Sequence, residues 1–229
     1  MSTQDGPGPR PPSVDPGAGD HGAVPEWFAG FIASIIDVRG EDLSRFTPPP
    51  GLATRSSAVL VLFGEDEHGP DVLLIERAAD MRSHAGQPAF PGGAVDPDDN
   101  GPIAAALREA QEETGLDPEG VAVAHVLPDL WLPPSGFSVT PVIGYWSVPA
   151  PVWAVDPAEV ARAERIAISE LVDPANRVTV VHPSGYRGPG FQVAGMLVWG
   201  FTAGLLDRLL DIAGWAGPWP LEREVEIEL

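Results

Sequence analysis

Glu109, Glu112 and Glu113 stand at i, i+3 and i+4 in the run ALREAQEETGL, residues 106–116. Three carboxylates at that spacing repel one another, and a solvated helix face would account for them on spacing alone. What precedes them suggests more. A Pro91-Gly92-Gly93 turn is joined to the glutamates by a short acidic loop, DPDDN, residues 96–100. A backbone carbonyl folding back from that turn, for instance that of Gly93, converges with the carboxylates. A donor set made only of oxygen suits a hard cation, Mg²⁺ or Mn²⁺, which also recruits substrate phosphates.

The glutamates need a helix to hold them, and the sequence delimits one at 102–114. Asn100 or Gly101 caps it, Pro102 suits the first turn, and Gly115 suits the C-terminal stop. At about 100° per residue, Ile103, Ala106, Leu107, Ala110 and Thr114 form one largely apolar stripe. The three glutamates fall outside it, with Glu113 at its edge.

The formal net charge is -20, all 13 basic residues are arginine, and there is no cysteine. Disulfide and thiol chemistry are excluded, and so acidic a chain argues against nucleic-acid binding. An anionic small substrate would need a metal and local arginines. Arg55, Arg77, Arg82 and Arg108 surround the glutamates in sequence and can grip phosphate; pairing with Asp71, Glu76 and Asp80 is the structural alternative. The N-terminus lacks signal-peptide order, and the uncharged runs 130–155 and 188–206 are too broken by Pro and Gly for membrane spans. A cytoplasmic protein is expected.

The chain divides into a Pro/Gly-rich, disordered segment at 1–23, an amphipathic helix and Pro-rich linker at 24–52, a globular domain at 53–214 and an acidic tail at 215–229. The helix carries Trp27, Phe28, Phe31, Ile32, Ile35 and Ile36 and should dock on the domain or on a second subunit, which leaves a homodimer open. Residues 58–63 and 72–77 read as strands of a hairpin with a long loop. Residues 121–127 form a further strand, and 139–148 another, with Pro141 suiting a sheet edge. A helix is expected at 157–165, a hairpin over 177–182 and 191–193, and a closing helix at 196–213. The stretch 221–229 reads as a short strand or a frayed end. Strands interleaved with helices give an α/β layered domain.

The stretch from Gly93 to Leu116 resembles the Nudix box, G-x(5)-E-x(7)-R-E-U-x-E-E-x-G-U. It matches at Gly93, Arg108, Glu109, Ala110, Glu112, Glu113, Gly115 and Leu116. Asp99 replaces the first glutamate, with one extra residue before Arg108. The resemblance implies the Nudix fold, a mixed sheet between α-helices, and metal-dependent hydrolysis of a diphosphate linked to another moiety. Upstream, LLIERAADMRSHAGQPAFPGG, residues 73–93, resembles the added motif of the coenzyme A pyrophosphatase branch. It matches at Leu73, Leu74, Arg77, Arg82, His84, Gly86, Gln87 and the Phe90-Pro91-Gly92-Gly93 end. Products would be 3′,5′-ADP and 4′-phosphopantetheine.

On that resemblance Glu109, Glu112 and Glu113 are catalytic, and Glu109 and Glu113, with Glu112 and Gly93, hold Mg²⁺ or Mn²⁺. Arg77, Arg82, His84 and Gln87 contact substrate, and Arg108, Gly92 and Gly115 support the site. His84 touches a phosphate or shapes the pocket wall. The general base is a helix glutamate or Glu159. Trp131, Phe137 and Trp199 stack on adenine or pack in the core. Other nucleoside diphosphates, such as ADP-ribose or a dinucleotide, are the sibling reading, and a ligand-binding regulator without catalysis is the reading from another class.

Overall fold

A computed structural model describes residues 24–46, 54–79, 86–133 and 136–227. Arg82 and His84, the segment 1–23 and most of the Pro-rich linker lie outside them. The chain runs α1 (Glu26–Ile35), α2 (Gly40–Leu43), β1 (Arg55–Asp66), β2 (Gly69–Arg77), β3 (Pro88–Ala89), β4 (Gly92–Ala94) and α3 (Pro102–Thr114). It continues with β5 (Val121–Val126), β6 (Leu130–Leu132), β7 (Phe137–Trp146), β8 (Val160–Ala167) and α4 (Ile168–Val172). It ends with β9 (Arg177–Val181), β10 (Arg187–Val193), β11 (Met196–Val198), α5 (Gly200–Ile212) and β12 (Glu224–Glu226).

The main sheet has the order β3-β2-β1-β7-β5, with β4 also on β1, β6 on β7 and β8 on β2. It is mixed, because β1 and β7 run parallel while their other partners are antiparallel. The uncharged run in β1 is explained by burial on both faces. Ala58, Leu60 and Leu62 pack with Ala105, Ala106 and Ala110 of α3. Val61 and Phe63 pack with α1, α5 and the second sheet. That second sheet has the order β11-β10-β9-β12.

β1 and β2 pair only from Phe63↔Val72 to Asp66↔Gly69, and then splay apart. The chain at 88–94 fills the resulting wedge, β3 pairing with Ile75 and Glu76 and β4 with Ser57–Val59. This wedge puts the Gly92-Gly93 turn beneath α3.

Several expectations are corrected. The first hairpin has a two-residue connection, Glu67-His68, not a long loop. β7 lies inside the sheet despite Pro141. Its neighbour changes there from β6, ending at Leu130↔Val139, to β5, beginning at Val126↔Val142. Pro141 offers its carbonyl to Leu127 N–H at that junction, where no ladder N–H is required. Residues 160–165, expected in a helix, belong to β8. Ala, Glu and Arg favour helix, but pairing along β2 outweighs this, reinforced by Arg162 to Glu76 (2.6 Å) and Arg165 to Asp71. These arginines also take up two of the acids considered as partners for Arg77. Residues 196–198 form a strand before the closing helix, and residues 224–226 pair parallel with β9. The aromatic helix docks on its own domain, the first of the two places expected for it: Phe31 lies 4.8 Å from Phe63 and 5.3 Å from Trp215, and Phe28 lies 5.1 Å from Tyr145, ring to ring.

Candidate active site

α3 begins after Gly101 (φ 84°), takes Pro102 in its first turn and stops at Gly115 (φ 68°), whose N–H bonds the Gln111 carbonyl. Its alanines let the helix lie close to β1. That closeness carries Glu113, at the stripe's edge, under the sheet, where its side chain is 7% exposed.

Glu113 Oε2 accepts the Gly92 N–H at 2.9 Å, and Oε1 faces Arg77 Nη1 at 3.7 Å. These two contacts undercompensate a buried charge. Burial, opposed by the Gly92 hydrogen bond and Arg77, raises the carboxyl from 4.5 to about 7. Glu109 is also raised, by burial first, against its bond from Arg108. Glu112 is largely exposed.

Arg108 is the hub of the outer half of the site. It bonds Asp99 through Nε (3.0 Å) and Nη2 (2.9 Å), and donates to Glu109 (2.9 Å), Glu112 (3.0 Å) and the Ala94 carbonyl (3.1 Å). The bond from Arg108 holds the Asp99 carboxyl below its ordinary range. The acidic loop is thereby tied to the helix, and Arg108 orients glutamates as the sequence suggested.

The two glycines of the turn have different reasons. A Cβ on Gly92, at φ 157°, would come within 2.7 Å of Val59 Cα and closer still to the Ala58 carbonyl oxygen. A Cβ on Gly93 would stand 2.5 Å from both carboxylate oxygens of Glu109. The register places Gly93 opposite Ala58 in the ladder, flanked by the bonds Leu60 N–H to Pro91 and Val95 N–H to Ser56. Ladder alternation then engages the Gly93 carbonyl with β1, which corrects the expectation that Gly93 offers its carbonyl to a cation, and turns the Gly92 peptide groups away from β1.

Among the described residues no three acidic or histidine side chains already converge as a ready chelate, since Glu109 and Glu112 lean on Arg108. The donor chemistry nevertheless fits a hard divalent cation: a buried carboxylate short of positive charge, a second carboxylate lying against bare glycine backbone, and only oxygen donors.

Of the other expected residues the structure brings Arg77 to this centre, and the rest make contacts of their own. Arg77 N–H bonds the Gln87 carbonyl and its own carbonyl takes Gly86 N–H, each at 3.1 Å, beside a bulge in the β2–β8 pairing. Glu159 is exposed, accepts Ala78 N–H through its carbonyl, and its charge reaches Glu113. Arg55 lies over the Phe137 ring at 4.1 Å, and Trp199 stacks on His182 at 5.5 Å. Sequence reasoning missed the Arg77–Glu113 contact, because a residue in β2 and one in α3 are joined only by the wedge.

The family described as NUDIX domain matches residues 53–183. The uncharacterized Nudix hydrolase NudL of Citrobacter koseri is 41% identical over 192 residues, 80% of this chain and 91% of that protein. The chain belongs to the Nudix hydrolase family. The NudL of Cronobacter sakazakii is 43% identical over 165 residues, 69% of this Nudix hydrolase and 82% of the relative. The crystal structure of the Mycobacterium smegmatis (M. Smegmatis) Nudix hydrolase RenU shares the fold, with TM-score 0.51 and 22% identity over 72% of this chain and 89% of that one. As a Nudix hydrolase the protein cleaves phosphoric anhydride bonds, chemistry for which the family generally uses divalent metal ions. Among the described residues no helix is long and apolar enough to cross a membrane.

Proposed function

We propose that this Nudix hydrolase cleaves the diphosphate of coenzyme A, or of a derivative, into 3′,5′-ADP and 4′-phosphopantetheine. The observation that carries the reading is the stretch 73–93, whose branch-like residues Arg77, Gly86 and Gln87 are bonded together beside Glu113. Glu109 and Glu113, with Glu112 and the Gly92 carbonyl that the ladder leaves outside, hold Mg²⁺ or Mn²⁺. The cation supplies charge neutralisation at the diphosphate and acidifies a bound water. Arg108 and Asp99 fix Glu109, the Gly92 N–H fixes Glu113, and Arg77, Arg82, His84 and Gln87 steer the substrate. An exposed carboxylate, Glu159 or Glu112, takes the proton from the attacking water.

Incubation with coenzyme A, ADP-ribose and dinucleoside polyphosphates, each with Mg²⁺ and with Mn²⁺, tests the reading. Release of 3′,5′-ADP at the highest kcat/KM supports it. Preference for ADP-ribose or a dinucleotide moves the protein to the sibling substrate class, and tight binding without turnover of any diphosphate makes it a ligand-binding regulator.

A pH dependence follows from Glu113. The cation needs its ionised form, so at limiting metal kcat/KM should fall about tenfold per unit as pH drops below about 7. Raising the metal concentration should move this limb to lower pH, because metal and proton compete for one carboxylate. A limb insensitive to metal would refute the assignment.

A further inference from the structure

Arg77 is the last residue of β2, and its backbone is clamped on both sides. Its N–H bonds the Gln87 carbonyl and its carbonyl takes Gly86 N–H, each at 3.1 Å. The next residue, Ala78, donates its N–H to the Glu159 carbonyl at 2.9 Å. The side chain is held far less firmly. Among the described residues its Nε is buried without a hydrogen-bond partner, and Nη1 lies 3.7 Å from Glu113 Oε1, beyond hydrogen-bond distance. Neighbouring arginines differ. Arg108 and Arg162 donate to carboxylates at 3.0 Å or less, and Arg165 grips Asp71 with two nitrogens. Glu113, for its part, offers its two oxygens unequally. Oε2 accepts the Gly92 N–H at 2.9 Å, so Oε1 is the oxygen left to a cation, and it is the one that Arg77 faces. A divalent cation bound there, at roughly 2.1 Å for Mg²⁺, would stand next to the guanidinium. Positive charges so close, and partly shielded from water, repel strongly. The side chain must then turn aside, while its clamped backbone keeps it within reach of whatever the cation carries.

We propose that the cation displaces Arg77 from Glu113 and that the freed guanidinium grips the diphosphate, so that the two ligands strengthen each other's binding. This rests on the reading that Glu113 holds the cation and that the substrate is a diphosphate. A cation arriving alone separates the guanidinium from Glu113 and leaves it partly buried with nothing to pair. With a diphosphate on the cation, the same guanidinium gains parallel hydrogen bonds to phosphate oxygens, which its planar fork matches. Linkage makes the gain mutual. Whatever factor the diphosphate adds to cation affinity, the cation adds to diphosphate affinity.

The test is calorimetric, at pH 8, on the full-length wild type, Arg77→Gln and Arg77→Lys. Among the described residues these substitutions break no side-chain hydrogen bond, so the variants should fold. Mn²⁺ is titrated first without nucleotide. Arg77→Gln should bind it roughly 5- to 50-fold tighter than wild type, and Arg77→Lys, which keeps the charge, within about threefold of wild type. The proteins are then titrated with α,β-methylene-ADP, whose diphosphate resists hydrolysis, with and without saturating Mn²⁺. The metal should tighten this analogue at least about tenfold more in wild type than in Arg77→Gln, a comparison in which metal–nucleotide association in solution cancels. An unchanged or weaker Mn²⁺ affinity in Arg77→Gln would overturn the displacement. Tighter Mn²⁺ with equal coupling in the two proteins would overturn the grip on diphosphate and turn the guanidinium towards Glu159, whose charge also reaches Glu113. Failure of Mn²⁺-loaded wild type to bind the analogue overturns it as well. Absence of turnover of any diphosphate sinks the hydrolytic reading alone, since neither titration needs turnover.

Discussion

Glu113→Gln is expected to abolish turnover, by about 10³-fold or more, while making the metal-free protein more stable at pH 8. Burial raises the folded-state carboxyl from 4.5 to about 7. A group raised in this way contributes stability that is complete below pH 4.5 and is lost as pH rises through about 7. At 1.36 kcal/mol per unit, the ionised side chain at pH 8 costs on the order of 3 kcal/mol. Glutamine keeps an acceptor for Gly92 N–H and carries no charge, so the variant should escape this loss. Thermal melts from pH 5 to 8 without metal should decline for wild type and less for the variant. Addition of Mn²⁺ should raise the wild-type Tm at pH 8 and leave the variant nearly unmoved. A variant with full turnover, or one that melts lower than wild type at pH 8, would remove Glu113 from the cation site.

Alanine at the two adjacent glycines should separate folding from catalysis. Gly92→Ala drives a Cβ into the backbone of Ala58 and Val59 at a φ of 157°, and backbone cannot step aside. A loss of about 3 kcal/mol or more is expected, seen as a Tm lower by roughly 10 °C or as insoluble protein. Gly93→Ala meets only the Glu109 carboxylate among its nearest atoms, and that side chain can rotate. Its stability should change by less than about 1 kcal/mol. Its kcat should fall about 10²-fold, because a metal-holding carboxylate displaced by an ångström no longer positions the reacting groups. Melting curves and steady-state kinetics on the two proteins decide the matter. Equal melting temperatures, or an active Gly93→Ala, would contradict the wedge geometry.

Much of α3 was legible because its signals are local. A proline in the first turn, a left-handed glycine at the end and an apolar period set the limits 102–114, which the structure reproduces. The strand at 58–63 was legible for a similar reason, since burial on both faces leaves an unbroken apolar run. The misread elements depend on neighbours far away in sequence. Residues 160–165 carry helix-favouring side chains, yet Glu76 and Asp71, some ninety positions earlier, supply the charges that draw Arg162 and Arg165 into a ladder. Pro141 suggested an edge because its missing N–H was read against a continuous partner, whereas β7 changes partner at that residue.

Residue types and spacing were enough to determine that this protein has an oxygen-rich, three-glutamate helix behind a glycine turn, with an arginine able to organise it. Covalent order fixes which side chains share one helix and one turn. Only the tertiary structure decided how those glutamates differ. Splaying of β1 from β2 admits the 88–94 segment, and the alanines of α3 let the helix settle over it. Glu113 is thereby pressed into a site with one backbone N–H and one distant guanidinium, while Glu112 on the same helix stays in water. The reason is dielectric: burial changes the energy of a charge by several kcal/mol, and burial is set by what packs across from a residue, which spacing along the chain does not encode.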